Sequence, residues 1–314
     1  MCDMEYSHAP VLLHECIEGL AIKPGGIYVD GTLGRGGHSL EIVKRLSPEG
    51  RLICIDRDEE ALRQAPSRLG TYMDRVTLVH GNFRDLGALL DSLPLPGADG
   101  MLFDLGVSSP QLDDSARGFS YMKDAPLDMR MDRSDAVSAR EVVNSWSKEE
   151  LQRILWRYGE ERYASAIAGA IVRAREKKSV ETTLELVEII RGAMPGAALR
   201  EKQHPAKRSF QAIRIAVNDE LEAVSEMLSQ AVPRLNRGGR LAVISFHSLE
   251  DRIVKTGLAE WARGCTCPPD FPVCVCGKKP LVKIISKKPI LPGEEEQNEN
   301  PRSRSAKLRL AEKL

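Results

Sequence analysis

Four segments of the chain place acidic, glycine or aromatic residues directly after a short apolar run. They are the loop 30–38 (DGTLGRGGH), the acid Asp56, the pair Asn82 and Phe83, and the segment 104–111 (DLGVSSPQ). In an open parallel sheet, ligands bind beyond the carboxyl ends of the strands. If the apolar runs are neighbouring strands, these four segments meet at one ligand-binding edge.

The chemistry of the segments matches one cofactor, S-adenosylmethionine. Glycines in the loop 30–38 let its backbone approach an anionic group closely. Asp56 can accept both hydroxyls of a ribose, and Phe83 offers an aromatic face for adenine. Asp30 and Asp104 are acids suited to the neighbourhood of a sulfonium cation. Taken singly, each residue has a structural alternative: a tight turn, a helix N-cap or a core ring.

The same segments carry a resemblance to a known family. The chain resembles the bacterial 16S ribosomal RNA cytosine-N4 methyltransferases, and the resemblance extends over nearly its whole length. It rests on eight motifs: HAPVLLHE (8–15), DGTLGRGGH (30–38), DLGVSSPQLD (104–113), GFS (118–120), LDMRM (127–131), FQAIR (210–214), ISFHSLEDR (244–252) and NPRSRS (300–305).

The resemblance implies a class I methyltransferase core with an inserted helical domain. It implies that the target is one cytidine in the decoding centre of the small ribosomal subunit. It also implies a set of residues that contact S-adenosylmethionine: Gly36, Gly37, His38, Asp56, Phe83, Asp104 and Gln111.

Methyl transfer to a cytosine amino group requires orientation of the nitrogen and acceptors for its hydrogens. We expect Asp104 and Ser109 to take the catalytic role. Their segment is similar in position to the Asn/Asp/Ser-Pro-Pro-aromatic motif of DNA amino-methyltransferases, but only Pro110 is present and Gln111 replaces the aromatic residue. A ring that stacks on the base must then come from elsewhere, and the candidates are Phe119, Tyr121 and Phe246.

Hydrophobic periodicity predicts the elements that position these residues. Strands alternate with helices up to about residue 105, helices alone follow from about 112 to 211, and the alternating pattern then returns. The prediction is an α/β fold with a doubly wound, mostly parallel, Rossmann-like sheet and an inserted all-helical domain. The core comprises 1–111 and 212–314, and the insertion 112–211 recognises the substrate. The predicted strands are 27–30, 51–56, 76–80, 101–105, 240–245, 282–286 and 308–310, and 293–301 is predicted to be an exposed loop.

The formal net charge is zero, but basic residues are concentrated in two regions. The range 151–214 has 13 Lys and Arg against 7 Asp and Glu, and 277–314 has 10 against 5. A polyanion could bind both regions, with Arg302 and Arg304 as candidate phosphate contacts, although solvated surfaces give the same pattern. The expected partner is 16S rRNA or the small subunit, with no membrane and no DNA, and a homodimer stays open. No run suits a signal peptide or a membrane span, so we expect a cytoplasmic protein.

Four cysteines lie within twelve residues as two C-x-C pairs: Cys265, Cys267, Cys274 and Cys276. Four thiolates at this spacing can bind a structural zinc ion, although C-x-C is tighter than the usual C-x-x-C. Reduced packing cysteines and a redox-sensitive hairpin are the alternatives.

Other functions stay open on the residues alone. An NAD-dependent oxidoreductase is disfavoured because the glycine spacing is not G-x-G-x-x-G. The segment 245–251 contains His247, Ser248 and Asp251, but it lacks the nucleophile elbow of a hydrolase. A methyltransferase for another nucleic-acid amino group and a non-catalytic RNA-binding assembly factor are the remaining alternatives.

Overall fold

The computed structural model describes residues 10–268, 271, 273 and 275–314. The chain divides into two compact units. The core unit consists of the described parts of Met1–Gly106 and Leu221–Leu314, and the helical unit is Val107–Glu220. Every helix in the described residues is too short or too polar to cross a membrane.

The core unit contains a seven-stranded sheet in the order β3-β2-β1-β4-β5-β7-β6. The first five strands in this order are parallel, whereas β7 runs antiparallel to both of its neighbours. This confirms the predicted α/β fold with a mostly parallel sheet. The strands are β1 (Ile27–Asp30), β2 (Arg51–Asp56), β3 (Val76–His80), β4 (Ala98–Asp104), β5 (Leu235–Ser245), β6 (Val282–Ile284) and β7 (Lys307–Lys313).

Thirteen α-helices are described in the two units. The helical unit contains α5 to α10, and the core unit contains the others. In chain order they are α1 (Leu13–Leu20), α2 (Gly37–Val43), α3 (Glu59–Leu69), α4 (Leu86–Asp91), α5 (Ser109–Asp113), α6 (Ala139–Ser145), α7 (Lys148–Gly159), α8 (Ala164–Arg175), α9 (Thr183–Ala193), α10 (Lys207–Asn218), α11 (Glu220–Arg234), α12 (Ser248–Ala262) and α13 (Glu294–Glu299).

The central strands are buried on both faces, which explains their continuous apolar sequence. Leu52 and Cys54 of β2 pack with residues of α1 to α3, whereas Ile53 and Ile55 of the same strand pack with residues of α4, α11 and α12. Burying each such aliphatic side chain contributes about 1.5–3 kcal/mol. Helices therefore cover both faces, as a doubly wound sheet requires.

The helical unit has its own apolar core, formed by α6 to α10 and the segment before them. Leu151, Ile154 and Leu155 of α7 lie on one stripe and are buried in this core with Ile213 of α10. The described residues of this unit contain no strand. Its limits, 107 and 220, lie five and nine residues outside the predicted insertion 112–211, and a role of the unit in substrate recognition stays a prediction.

One predicted element was wrong, and one predicted strand was too short. The segment 293–301 is not simply a loop, because it contains α13, whose three glutamates lie in the first turn, where the helix dipole favours negative charge. Glu296 of this helix accepts a hydrogen bond from the Leu12 backbone N–H at 2.8 Å. The strand predicted at 240–245 begins earlier, at Leu235, because Leu235 pairs with Ala98 before a register shift in β4.

Candidate active site

The loop after β1 lies across the carboxyl ends of three strands. The Gly31 N–H donates to the Leu102 carbonyl of β4 at 2.9 Å, and the Leu33 N–H donates to the Ile55 carbonyl of β2 at 3.0 Å. Gly34 and Gly36 have φ values of 49° and 72°, a backbone region that favours glycine. The glycines are therefore required to fold the loop at the predicted ligand-binding edge.

Asp30 holds the start of this loop. Its carboxylate accepts hydrogen bonds from the Ser39 hydroxyl at 2.6 Å and from the Thr32 N–H at 3.1 Å. Burial raises the pKa of Asp30 to about 6, against the opposing effect of these two bonds. Both carboxylate oxygens thus have partners, one in the loop and one in α2, so the geometry supports a positioning role for Asp30.

Asp56, at the end of β2, links the loop to the turn before α3. One carboxylate oxygen accepts from the Gly34 N–H at 2.7 Å, and the other accepts from the Asp58 N–H at 2.8 Å. Burial raises the pKa of this carboxyl group above its usual value. A carboxylate has about four acceptor positions. Asp56 can therefore hold the loop and still accept hydrogen bonds from a vicinal diol.

Phe83 follows β3, whose end is joined to β2 by the Gly81 N–H bond to the Asp56 carbonyl. The ring is half-buried and meets Phe103 edge to face, with 6.1 Å between the ring centroids. Its other contacts are with the core of the unit. One side of the ring is therefore fixed by packing, and the residue still reaches the surface beside Asp56.

Asp104 ends the central strand β4 and carries the most perturbed of the acids at this edge. Its backbone N–H donates to the Thr32 hydroxyl at 2.6 Å, and its Oδ1 is buried without a hydrogen-bond partner among the described residues. Burial, reinforced by the nearby charges of Asp30 and Glu250, raises its pKa to about 8. A buried oxygen without a partner costs free energy, and this cost is recovered when a donor or a cation binds.

His38 lies beside Asp104 but does not form an ion pair with it. Its Nε2–H donates to the Val11 carbonyl at 3.1 Å, and its Nδ1 is 3.9 Å from Asp104 Oδ2. Burial lowers the pKa of His38 to about 4, so the imidazole is neutral at neutral pH. The histidine therefore contributes shape and dipole to the site, and no charge.

The other two predicted site residues, Ser109 and Gln111, belong to α5 of the helical unit. Gln111 is buried, and its Oε1 accepts from the Ser108 N–H at 3.1 Å, which closes a capping box at the start of the helix. Ser109 is half-buried. The roles of both residues in cofactor binding and catalysis stay predictions.

Glu250 was not predicted from the sequence. It is 1% exposed, and one oxygen accepts from the Phe246 N–H at 2.8 Å, just beyond the end of β5. His247 Nε2 lies 3.1 Å from the other oxygen without hydrogen-bond geometry. The segment 245–251 is thus the capped start of α12. A glutamate three residues after the cap is the sequence signal that indicates it.

The core unit therefore brings six of the predicted cofactor residues to one edge of the sheet: Gly36, Gly37, His38, Asp56, Phe83 and Asp104. The model of one family, described as the MraW methylase family, matches residues 5–314. The chain belongs to the MraW methylase family. It is thus a methyltransferase that depends on S-adenosylmethionine, as predicted.

Relatives of this MraW methylase are similar over their full length. The ribosomal RNA small subunit methyltransferase H of Brevibacillus brevis is 56% identical over 100% of both chains. The protein of the same name from Symbiobacterium thermophilum is 57% identical over 99% of this chain and 98% of its own. A solved rRNA methylase of Streptococcus thermophilus is 14% identical over 98% of this chain and 99% of its own, with a TM-score of 0.41.

The residues of the MraW methylase edge fit S-adenosylmethionine. The remaining acceptor positions of Asp56 suit a ribose diol, the ring of Phe83 suits a nucleobase, and the partnerless Asp104 Oδ1 suits a neighbouring cation. The loop backbone of Gly36 and Gly37 is the part of the edge that can approach an anionic group.

Proposed function

We propose that this MraW methylase transfers a methyl group to the exocyclic N4 amine of one cytidine in 16S ribosomal RNA, in the decoding centre of the small subunit. The relatives that are 56–57% identical over the full chain are named for small-subunit ribosomal RNA. The observation on the molecule that carries the proposal is the buried Oδ1 of Asp104 at the end of the central strand, which has no hydrogen-bond partner among the described residues. The reaction takes place in the cytoplasm, where ribosomal subunits are assembled.

S-adenosylmethionine supplies a methyl group that its sulfonium has already activated, so the chain's residues have to bind and orient. Asp56, Phe83 and the loop at Gly36 and Gly37 hold the nucleoside and amino-acid parts, and His38 completes this part of the cofactor pocket, while a cofactor contact of Gln111 rests on the family resemblance alone. These assignments combine the family resemblance with the hydrogen bonds of Asp56 and the position of Phe83.

Asp104 accepts a hydrogen bond from the cytosine amino group, and Ser109 stays the second catalytic residue that the sequence predicts. When the nitrogen gains its methyl group it must lose one proton, and a carboxylate beside it can take that proton. A pKa of about 8 suits this task, because a general base works best when its pKa is close to the working pH. Burial among Asp30 and Glu250 is the cause of that pKa.

The RNA partner is bound through phosphates by Arg302 and Arg304 and by the basic helices of the insertion. Several basic residues of the helical unit are held in ion pairs, such as Arg140 with Glu181 at 2.6 Å and Arg162 with Glu201 at 3.0 Å.

The target base must leave its stack to reach the cofactor. Phe119 is only 7% exposed, within the core of its unit, and the ring of Tyr121 already stacks on His204 with 4.6 Å between the ring centroids, which leaves Phe246 as the better stacking candidate.

The test uses purified protein, S-adenosylmethionine with a labelled methyl group, and small subunits or 16S rRNA from cells that lack the modification. Nucleoside mass spectrometry should find N4-methylcytidine. Asp104→Asn should lower kcat about 100-fold or more, whereas the matched variant Asp99→Asn, at the opposite end of β4, should stay within about twofold. If the label appears in a nucleoside other than cytidine, the proposed target is wrong. If the protein binds the RNA but transfers no label, it acts as an RNA-binding assembly factor and not as an enzyme on this substrate.

A further inference from the structure

Three cysteine sulfurs of the core unit lie together in the connection between α12 and β6. The Sγ atoms of Cys265, Cys267 and Cys276 are all within 4.8 Å of one another. Those of Cys265 and Cys276 are 3.7 Å apart. Cys274, the fourth cysteine of the sequence motif, lies outside the described residues.

These distances match thiolates around one metal ion. In a tetrahedral zinc site with Zn–S bonds of about 2.3 Å, two sulfurs are about 3.8 Å apart. A disulfide would require a separation of about 2.0 Å. The pair Cys265 and Cys276 therefore has the spacing of two ligands of the same ion.

Backbone N–H groups provide a second, independent observation. The Cys267 N–H points to Cys265 Sγ, the Val275 N–H to Cys267 Sγ and the Thr266 N–H to Cys276 Sγ, each at 3.4 Å. Each of the three sulfurs thus accepts one backbone hydrogen bond. Such bonds stabilise the negative charge of a thiolate and are typical of the surroundings of metal-bound cysteines.

The cysteines do not serve the apolar core. Cys265 and Cys276 are exposed, and Val273 and Val275 beside them are 71% and 74% exposed. The described residues from Arg263 to Leu281 form no helix or strand, and they expose large apolar side chains, so packing contributes little to fixing these three cysteines. A bound metal supplies the missing constraint.

We propose that Cys265, Cys267 and Cys276 bind a structural zinc ion that fixes the connection between α12 and β6. The ends of the connection are already attached to the core unit, since Lys278 pairs with Glu260 at 2.8 Å and the Leu281 N–H donates to the Trp261 carbonyl at 2.8 Å. The ion holds the part between them. The role is structural, because methyl transfer from a sulfonium requires no metal.

The test measures metal in the full-length protein, purified without chelators, under reducing conditions and after removal of any affinity tag. Elemental analysis should find about one zinc per chain. The double variant Cys265→Ser/Cys276→Ser should fall to less than a fifth of that. Cys54→Ala, which removes a buried cysteine of β2, is the matched control and should keep the metal.

A second measurement remains decisive if the double variant fails to fold. Cobalt added to the chelator-treated wild-type protein should give the intense thiolate-to-cobalt charge-transfer band, and zinc should abolish it. Metal removal should increase proteolysis between residues 263 and 281 at least tenfold while the affinity for S-adenosylmethionine stays within about twofold.

Two results would overturn the proposal. One is a wild-type protein that holds less than a tenth of a zinc per chain after reconstitution and gives no cobalt band. The other is an intact mass that shows these cysteines joined as disulfides in protein kept under reducing conditions.

Discussion

Asp104 gives the candidate site a pH dependence that can be measured. Its pKa of about 8 in the ligand-free protein means that the carboxyl group is largely protonated at neutral pH. A cation bound beside it favours the ionised form, so binding below pH 8 releases a proton. The affinity for S-adenosylmethionine should therefore rise as the pH rises, by up to about tenfold per unit between pH 6 and 8, and level off above.

Calorimetric titration in two buffers with different ionisation enthalpies measures the released proton. S-adenosylhomocysteine is the matched ligand, because its sulfur is uncharged and it otherwise lacks only the transferred methyl group. The ratio of the affinity for S-adenosylmethionine to that for S-adenosylhomocysteine should rise as the pH rises from 6 to 8. In Asp104→Asn this rise should disappear. A ratio that stays constant from pH 6 to 9 would contradict the assignment of Asp104.

Asp56 should dominate the affinity for the ribose of the cofactor. Hydrogen bonds to a charged group are worth about 1.5–3 kcal/mol each, so Asp56→Ala should weaken binding of S-adenosylmethionine at least about tenfold. Asp58→Asn is the control, because Asn also caps the start of α3 and leaves Asp56 in place. Equal losses in the two variants would mean that only the fold of the turn matters.

For single residues, the sequence predicted the acids at the strand ends but not the contacts that shift their pKa values. Asp56 and Asp104 are identifiable because each follows a buried strand. The Thr32 hydroxyl under Asp104 and the Glu250 charge that raises its pKa come from other parts of the chain. Such long-range contacts depend on the registry of the packed elements, which periodicity does not determine.

The loop after β1 depends on close packing against β4. A Cβ atom at Gly31 would lie 2.1 Å from the ring of Phe103, so Gly31→Ala requires the ring and the loop to move. We expect a loss of about 1–3 kcal/mol in the free energy of unfolding, with weaker binding of the cofactor. Urea denaturation measures the first and calorimetry the second.

Gly25→Ala is the control for this prediction, because nothing lies within 4 Å of a Cβ atom at Gly25. Its stability should stay within about 0.5 kcal/mol of the wild type. A Gly31 variant as stable as the Gly25 variant would mean that the loop is free to shift, and the close packing would then have no role in shaping the site.

Among the elements, the strongly patterned ones were predicted best. The strands 51–56 and 76–80 have the predicted bounds, because the apolar run of each ends there at turn residues. Helix α13 was missed because a run of glutamates has no apolar face. Its stability comes from the dipole and from the bond of Glu296 to Leu12, neither of which is a pattern in the sequence.

For the whole molecule, RNA binding should depend on salt through the basic tail. If Arg302 and Arg304 each contact a phosphate, replacing both with Ala should lower the slope of log affinity against log salt by about 1.4–1.8. Cofactor affinity should not change. The double variant Lys44→Ala/Arg45→Ala removes the same charge from the turn after α2, where both side chains pair with Glu41, and should leave the slope unaltered.

The proposed function requires Asp104 and its neighbours to act as a methyltransferase site for one base of the ribosome. The most direct measurement is mass mapping of small-subunit ribosomal RNA from cells that lack this protein and from cells that carry wild-type protein or Asp104→Asn. We predict that N4-methylation of one decoding-centre cytidine disappears without the protein and returns with the wild type only. An unchanged N4-methylcytidine content in cells without the protein would contradict the account.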